Sequence, residues 1–221
     1  ADASRVYGLE LEHILSPHNM NFLVHKETLI EEHIAGIPGD DFIKYFLPKC
    51  SESEKSQIAK EFVKFKERCL VRLLGDMRSY NYVIIPTHDF DQIIYKIRAI
   101  DFDQQSFEGN LKVYNLQFLK ENFKIVDMVN RKLDNNSINQ YKLEERSFMA
   151  KRMITSPRRA TRLIKCMKND TISFPNNVQL LKKHLIKYVG DVKFKECNNM
   201  GEILETILVF VKRNYQDVLT K

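Results

Sequence analysis

Two turns of the chain carry side chains that could bind a metal ion and accept a proton. In the stretch "LLGDMRSYNYVII" (residues 73–85), Asp76 stands five residues before Asn81, and in "AIDFD" (residues 99–103) Asp101 ends a strand-like run. Carboxylate and amide oxygens are ligands that Mg²⁺ accepts, and a further carboxylate can take a proton from a hydroxyl group. The same residue types are common in ordinary turns, because their side chains bond the local backbone. The pattern alone leaves both interpretations open.

A hairpin is needed to bring these turns together. The runs 82–85 and 93–100 are rich in β-branched and aromatic residues, and a polar loop, "PTHDFDQ" (86–92), lies between them. Pairing the two runs as antiparallel strands would place Asn81 and Asp101 at the same end of the hairpin.

A long helix precedes the first of the two turns. Residues 52–74 keep an apolar stripe at helical spacing, and Ser51 or Ser53 is expected to cap the helix start. Gly75 is expected to end it. Asp76 would then directly follow the end of a buried helix.

The remaining pattern predicts an α+β fold that is mostly helical. An amphipathic helix at 4–16 is followed by a hairpin of two apolar runs, 20–25 and 28–34, and then by a short helix at 40–47. From residue 115 onward the chain is predicted to form a helical block, with helices at 116–133, 141–154, 158–168, 177–189 and 201–219 and loops at 134–140 and 169–177.

The composition is compatible with several classes of function and does not identify one of them. The chain has 221 residues, a net charge of +6 and a pI near 9.0, which suits an anionic substrate or nucleic acid. No apolar run approaches the roughly 18 to 20 residues of a membrane span. Four scattered cysteines lack metal-binding spacing, so we expect reduced thiols in a cytoplasmic protein. RNA-binding motifs and zinc-finger spacing are absent from the sequence.

The two turns resemble the catalytic segments of the protein-kinase-like superfamily, closest in style to aminoglycoside and choline phosphotransferases. The residues that carry the resemblance are "LGDMRSYN" and the following "IDFD". The resemblance implies a kinase-like C-terminal lobe at 36–221, preceded at 1–35 by a remnant of the N-terminal lobe. It also implies transfer of a phosphoryl group from ATP, with Mg²⁺, to a hydroxyl of a small molecule.

The same resemblance implies a role for each matching residue. Asp76 would orient or deprotonate the acceptor hydroxyl, and Arg78 would contact the transferred phosphoryl group. Asn81 and Asp101 would hold the metal. The backbone near Glu31, Glu32, His33 and Ile34 would contact adenine, and the helix at 4–16 would be regulatory, with Glu10 or Glu12 as its ion-pair glutamate.

The departures from the family pattern change what we expect of this chain. Leu74 replaces the family histidine and Asp103 stands where protein kinases have glycine. A glycine-rich phosphate loop and a lysine ahead of Glu10 are both missing from the sequence. We therefore expect either a fragment of a longer enzyme or a form without the N-terminal strands, and slow catalysis by this chain. The alternatives are a catalytically silent kinase-like binding module and a basic helical domain that binds nucleic acid or protein.

A basic stretch at residues 151–168 has two interpretations. It could be a solvated helix face, with Ser156 as N-cap and Pro157 at the first helical position. It could also be a wall that binds an anionic ligand, either a phosphorylated substrate or nucleic acid.

Overall fold

The observed fold is α+β and mostly helical, as the sequence predicts. The computed structural model describes residues 3–90 and 92–215. Its α-helices are α1 Ala3–Leu15, α2 Gly39–Asp41, α3 Glu52–Arg72, α4 Phe123–Lys132, α5 Asn135–Thr155, α6 Pro157–Asn169, α7 Pro175–Val189 and α8 Met200–Tyr215. Its strands are β1 Phe22–His25, β2 Thr28–Glu31, β3 Ile37–Pro38, β4 Tyr82–Asp89 and β5 Gln92–Ala99.

The strands form two small antiparallel sheets. β1 and β2 make the predicted first hairpin, whose turn contains Lys26 in a left-handed conformation with φ 52°. The second sheet has the order β3-β4-β5. The short helix expected at 40–47 is observed as α2 continued by the π-helical turn Phe42–Phe46 and the 3₁₀ turn Leu47–Lys49.

The β4–β5 hairpin is longer than predicted, because most of the expected polar loop at 86–92 is strand. Pro86 pairs with Tyr95, and the ladder continues to Asp89 and Gln92. β3 reaches only Val83 and Ile84 of β4, so β4 has one neighbour where Pro86 stands. A proline has no N–H to donate, and the edge of a sheet is where that loss is tolerated.

α3 begins as predicted and ends earlier than predicted. Ser51 Oγ accepts a hydrogen bond from the backbone N–H of Glu54 (3.3 Å), and the Glu54 carboxylate accepts one from the N–H of Ser51 (2.7 Å). This reciprocal capping box satisfies two donors at the helix start. The helix ends at Arg72 rather than at Gly75, and Leu73 adopts the left-handed conformation with φ 57°.

A distant side chain explains this early end. The Gln105 amide nitrogen donates to the carbonyl oxygens of Arg72 (2.5 Å) and Leu73 (3.3 Å), which the helix itself cannot satisfy. Gly75 serves a different purpose, because a Cβ there would lie 3.2 Å from the Gln104 carbonyl oxygen. The glycine permits close approach of two backbone segments instead of capping the helix.

Two helix starts after residue 115 also differ from the prediction. The expected loop at 134–140 is wrong, because α5 already begins at Asn135 with Asp134 as its N-cap, accepting from the N–H of Ser137 (2.7 Å). α4 begins only at Phe123, after a run of 3₁₀ turns. Pro157 does start α6, but the Ser156 side chain makes no capping bond. The predicted end of the last helix, Leu219, lies outside the described residues.

Buried ion pairs join α3 to the helices on both sides. Arg72 pairs with Glu12 of α1, and Arg68 Nη1 pairs with Glu145 of α5 at 2.9 Å. All four side chains are almost fully buried. α1 is therefore attached to the helical block through α3, and the predicted division at residue 35 stays a prediction. Across the described residues, no helix combines the length and apolarity needed to cross a membrane.

Candidate active site

Two short loops, 76–80 and 101–103, lie side by side after α3 and β5. On one flank the N–H of Gly75 donates to the carbonyl of Gln104 (3.1 Å), and on the other the N–H of Ile100 donates to the carbonyl of Asn81 (3.1 Å). Asp76 follows Gly75 at the first flank, and Asp101 follows Ile100 at the second. The hairpin register, which pairs Tyr82 with Ala99, fixes the relative position of the two loops.

The first loop closes on the carbonyl oxygen of Asp76. That oxygen accepts hydrogen bonds from the N–H of Arg78 (2.8 Å) and from the side-chain nitrogen of Asn81 (2.7 Å). Asp76 itself has a φ of 54°, in the left-handed region that aspartate tolerates better than most residues. Because the amide nitrogen of Asn81 is committed to the loop, its amide oxygen is the atom left to meet a ligand.

A fully buried asparagine, Asn122, fixes this loop through hydrogen bonds. Its side-chain nitrogen donates to the carbonyl oxygens of Met77 (3.0 Å) and Leu116 (3.1 Å), and its side-chain oxygen accepts from the Tyr82 hydroxyl (3.0 Å). Asn122 thus fixes the residue after Asp76 and the first residue of β4 at once. The neighbours of Asn122 in "KENFK" give no local signal for these contacts, so the sequence alone does not indicate Asn122 as a site residue.

Arg78 lies directly beside Asp76. Its Nε donates to an Asp76 carboxylate oxygen (2.7 Å) and its Nη1 to Glu121 (3.2 Å). The hydrogen bond to Asp76 is the main reason that the pKa of the Arg78 guanidinium is raised. About a third of each side chain in the Asp76–Arg78 pair stays exposed, so the carboxylate and the guanidinium both remain open to a ligand.

Asp101 is held by Arg5, a residue that belongs to none of the sequence motifs. Arg5 Nη1 donates to an Asp101 carboxylate oxygen (3.2 Å), and the same oxygen accepts from the N–H of Asp103 (3.1 Å). The only sequence signal for Arg5 is its place in the first turn of an amphipathic helix. That signal does not indicate a partner 96 residues away.

Phe102 anchors the second loop in the core. Its ring is fully buried, and the Arg72 guanidinium lies over it at 5.4 Å from the ring centre. On the other side α1 comes so close that a Cβ at Gly8 would lie 2.8 Å from the Phe102 Cβ. The packing of Phe102 therefore sets the position of Asp101 and Asp103, which flank it.

The residues predicted to meet adenine lie at the end of the first hairpin and beyond it. Glu31 is the last residue of β2, and its carboxylate pairs with Arg5. The N–H of Glu32 bonds the carbonyl of Asn21 (2.9 Å), which extends the hairpin. His33 is exposed, whereas Ile34 is buried, and both lie in the irregular segment that leads to β3.

The two glutamates predicted as ion-pair partners are paired elsewhere. Glu10 pairs with Arg159 of α6 (2.7 Å) and Glu12 with Arg72 of α3. Burial alone would raise the pKa of Glu12, but the charges of Arg72 and Arg68 outweigh it and hold that pKa below its usual value. Glu12 is thus an ionised structural residue that fixes α1 against α3.

The basic stretch 151–168 is partly used for packing. Arg152 donates to the carbonyl oxygens of His13 (2.8 Å) and Ile14 (3.0 Å) at the end of α1, and Lys168 pairs with Glu205 (2.7 Å). Three basic side chains of α6 are exposed and have no ion pair within the described part of the chain. These are Arg158, Arg162 and Lys165.

Among the described residues, no group of three or more His, Cys, Asp and Glu side chains is placed to hold a metal ion. The donors at the two loops are instead one carboxylate, Asp101, and one amide oxygen, that of Asn81. Mg²⁺ is commonly held by one or two protein carboxylates together with phosphates of the substrate. Comparisons with protein-family models, with curated proteins and with solved structures give no match for this chain.

Proposed function

We propose that this chain carries the catalytic loops of an ATP- and Mg²⁺-dependent phosphotransferase that acts on a hydroxyl group of a small molecule. One observation carries the proposal. The loops bearing Asp76 and Asp101 are joined by backbone bonds on both flanks. The Asn81 amide nitrogen is fixed to the Asp76 carbonyl, and the Asn81 side-chain oxygen has no hydrogen-bond partner among the described residues. Two turns that act independently of each other would not need backbone hydrogen bonds on both flanks.

The role of each side chain follows from its surroundings. Asp76 would accept or orient the proton of the acceptor hydroxyl, because its carboxylate is about one-third exposed. Arg78 is held beside Asp76 and would stabilise negative charge on the group being transferred. The segment from Glu31 to Ile34 would contact adenine, as the resemblance to protein-kinase-like enzymes implies.

The donor set at the two loops fits Mg²⁺. Asp101 and the Asn81 oxygen would hold the ion, and the bound ion would neutralise charge on the nucleotide phosphates. Asp101 already has one positively charged neighbour, Arg5, and about a third of its side chain is exposed. The Asp101 carboxylate is therefore accessible from solvent, and its negative charge favours a cation.

Nucleotide binding tests the proposal first. A ligand at ten times its Kd adds about 1.4 kcal/mol to the stability of the folded state, which raises the Tm of a protein of this size by about 3 to 6 °C. We expect ATP to produce such a rise only with Mg²⁺, and we expect Asp101→Asn to abolish it. Asp127→Asn, at an exposed position on α4, is the matched control and should respond as the unchanged protein does.

Phosphoryl transfer separates an enzyme from the silent kinase-like module. Asp76→Ala should leave the Mg²⁺–ATP stabilisation in place and abolish transfer to any acceptor. Transfer by the unchanged chain should be slower than the range typical of kinases, about 1 to 100 s⁻¹. An unchanged chain whose Tm does not respond to Mg²⁺ and ATP would contradict the proposal.

A second function is supported by the three unpaired basic residues on α6. Arg158, Arg162 and Lys165 could contact a polyanion, either nucleic acid or a phosphorylated protein, through its phosphates. Such binding should weaken steeply with salt, because neutralised phosphates release counterions. Replacing the three residues with serine should remove the binding and leave the effect of ATP unchanged.

We also propose that the protein is located in the cytoplasm, since all four cysteines are free.

A further inference from the structure

The guanidinium of Arg5 lies among three carboxylates from two parts of the chain. Its Nε and Nη2 form a bidentate pair with the Glu31 carboxylate of β2, and the Nη2 bond is 2.8 Å long. Its Nη1 donates to Asp103 (2.8 Å) and to Asp101 (3.2 Å). Four hydrogen bonds therefore tie the first turn of α1 to the hairpin and to the loop that carries the proposed metal ligand.

The charges of this cluster do not cancel. One guanidinium faces three carboxylates, so the cluster keeps a net charge of −2 if all three are ionised. The hydrogen bond to Glu31 is the largest cause of a raised pKa for Arg5, and Arg5 therefore stays positive at any ordinary pH. A divalent cation at Asp101 would balance the remaining charge.

The position of Arg5 is set by the packing of α1. Glu12, two turns along the helix, is buried against Arg72, and Gly8 lies against Phe102. Because Phe102 stands between Asp101 and Asp103, the same contact that fixes α1 also fixes the carboxylates that Arg5 binds. The guanidinium cannot leave these carboxylates by a movement of α1 without disturbing buried contacts.

Protein kinases use an ion pair in which a strand supplies a lysine and a helix supplies a glutamate. In this chain the helix α1 supplies the cation, Arg5, and the strand β2 supplies the carboxylate, Glu31. The pair joins the same kinds of element with the charges exchanged. Arg5 would thus supply from a helix the positive charge that a strand lysine supplies in protein kinases.

We propose that Arg5, anchored by Glu31, is the positively charged positioning residue of the nucleotide site. Without metal it holds the Asp101 carboxylate, and with metal and nucleotide bound its charge favours the polyphosphate. This inference rests on the proposed function. Arg5 Nη1 lies 3.2 Å from an Asp101 carboxylate oxygen, so a phosphate on a metal held by Asp101 would lie near this guanidinium.

The proposal predicts changes of opposite sign for metal alone and for metal with nucleotide. Arg5→Ala removes a cation beside Asp101, so the affinity for Mn²⁺ alone should rise roughly tenfold. It also removes a cation near the polyphosphate, so the affinity for ATP in saturating Mn²⁺ should fall roughly tenfold. Both affinities are measured on the full chain, by Mn²⁺ titration in electron paramagnetic resonance and by calorimetry with ATP.

Three further variants sharpen the experiment. Arg5→Lys keeps the charge but loses the fork that binds Glu31, so it should restore the Mn²⁺ affinity and only part of the ATP affinity. Glu31→Gln loosens the anchor without removing the cation, and should lower the ATP affinity less than Arg5→Ala does. Arg159→Ala breaks another ion pair of α1, with Glu10, and should change neither affinity.

The outcomes separate this inference from the proposed function. If the unchanged chain binds Mn²⁺ and ATP, and Arg5→Ala shifts both affinities in the same direction or leaves both unchanged, Arg5 is only a structural tie. The proposed function would survive that result. If the unchanged chain binds no nucleotide with any metal, both the function and the role of Arg5 are wrong.

Discussion

Replacing Asn122 with alanine tests whether one buried side chain supports the proposed active site. The change removes the donor from two buried carbonyl oxygens, those of Met77 and Leu116, and the acceptor from the buried Tyr82 hydroxyl. A buried polar group left without a partner costs about 1 to 3 kcal/mol. The Leu116 carbonyl oxygen still accepts from the N–H of Leu119 (3.2 Å), so the Met77 carbonyl and the Tyr82 hydroxyl are the two groups left without a partner. We therefore expect Asn122→Ala to lower the free energy of unfolding by about 3 to 5 kcal/mol.

Urea and thermal unfolding followed by circular dichroism measure this loss. At about 2 to 4 °C per kcal/mol for a protein of this size, the Tm should fall by roughly 6 to 20 °C. Asn122→Asp keeps the acceptor for Tyr82 but directs a carboxylate at two carbonyl oxygens. It should therefore be more harmful at pH 7 than at pH 5, where a larger protonated fraction can donate one hydrogen bond.

Asn130→Ala is the matched control, because Asn130 is exposed on α4. It should change the free energy of unfolding by less than about 0.5 kcal/mol. A loss below about 1 kcal/mol for Asn122→Ala would refute the reasoning, since it would mean that Met77 and its loop do not depend on the buried amide. We also expect the surviving folded fraction of Asn122→Ala to respond less to Mg²⁺ and ATP, because Met77 directly follows Asp76.

Three other changes test the packing and the charges around the two loops. Glu12→Leu leaves Arg72 buried without its partner and should cost about 3 to 5 kcal/mol in urea unfolding, whereas adding Arg72→Met should recover most of that loss. Burial, followed by the charge of Arg68, lowers the pKa of His18 from 6.5 to about 4, so His18 stays neutral in the fold below the pH at which the unfolded chain protonates it. Stability should be full above pH 6.5 and fall as the pH is lowered from 6.5 toward 4, and His18→Gln should flatten that decline in unfolding titrations. Gly8→Ala places a Cβ 2.8 Å from that of Phe102 and should lower the Tm despite the better helix propensity of alanine, since overpacking costs about 1 to 3 kcal/mol; an unchanged or higher Tm would count against the proposed close contact.

The parts of the fold that the sequence predicted correctly depend on local rules. The helix cap is at Ser51, one of the two serines expected, and it acts on a residue three positions away. The hairpins follow from apolar runs separated by short turns. The start of α5 also had a local signal, because Asp134 stands three residues before Ser137, whose N–H it accepts. It was missed because the cluster of asparagines that follows Asp134 is also typical of a loop.

The contacts that position the candidate site could not be predicted in this way. Asn122 reaches Met77 across 45 residues of sequence, and Arg5 reaches Asp101 across 96. Gln105 donates to the last carbonyl oxygen of α3 from 33 residues away. Because no local pattern indicates this contact, the sequence wrongly predicts that α3 continues to Gly75. Such pairs depend on which elements pack together, and no spacing within a single element indicates them.

The backbone around the two loops combines left-handed residues with buried hydrogen bonds. Leu73, Asp76 and Ser106 all have left-handed φ values near 55°, and none of them is glycine. Each such residue costs on the order of 1 kcal/mol, and two hairpin turns of the chain bear the same cost at Lys26 and Phe90. At the two loops, buried amides at Gln105 and Asn122 also hold the surrounding carbonyl oxygens in place. Strain that is retained and supported by buried hydrogen bonds is typical of sites whose side chains must keep one geometry. The expected effect of Asn122→Ala on the nucleotide response follows from this argument, because relaxing the loop would move Asp76 and Asn81 relative to Asp101.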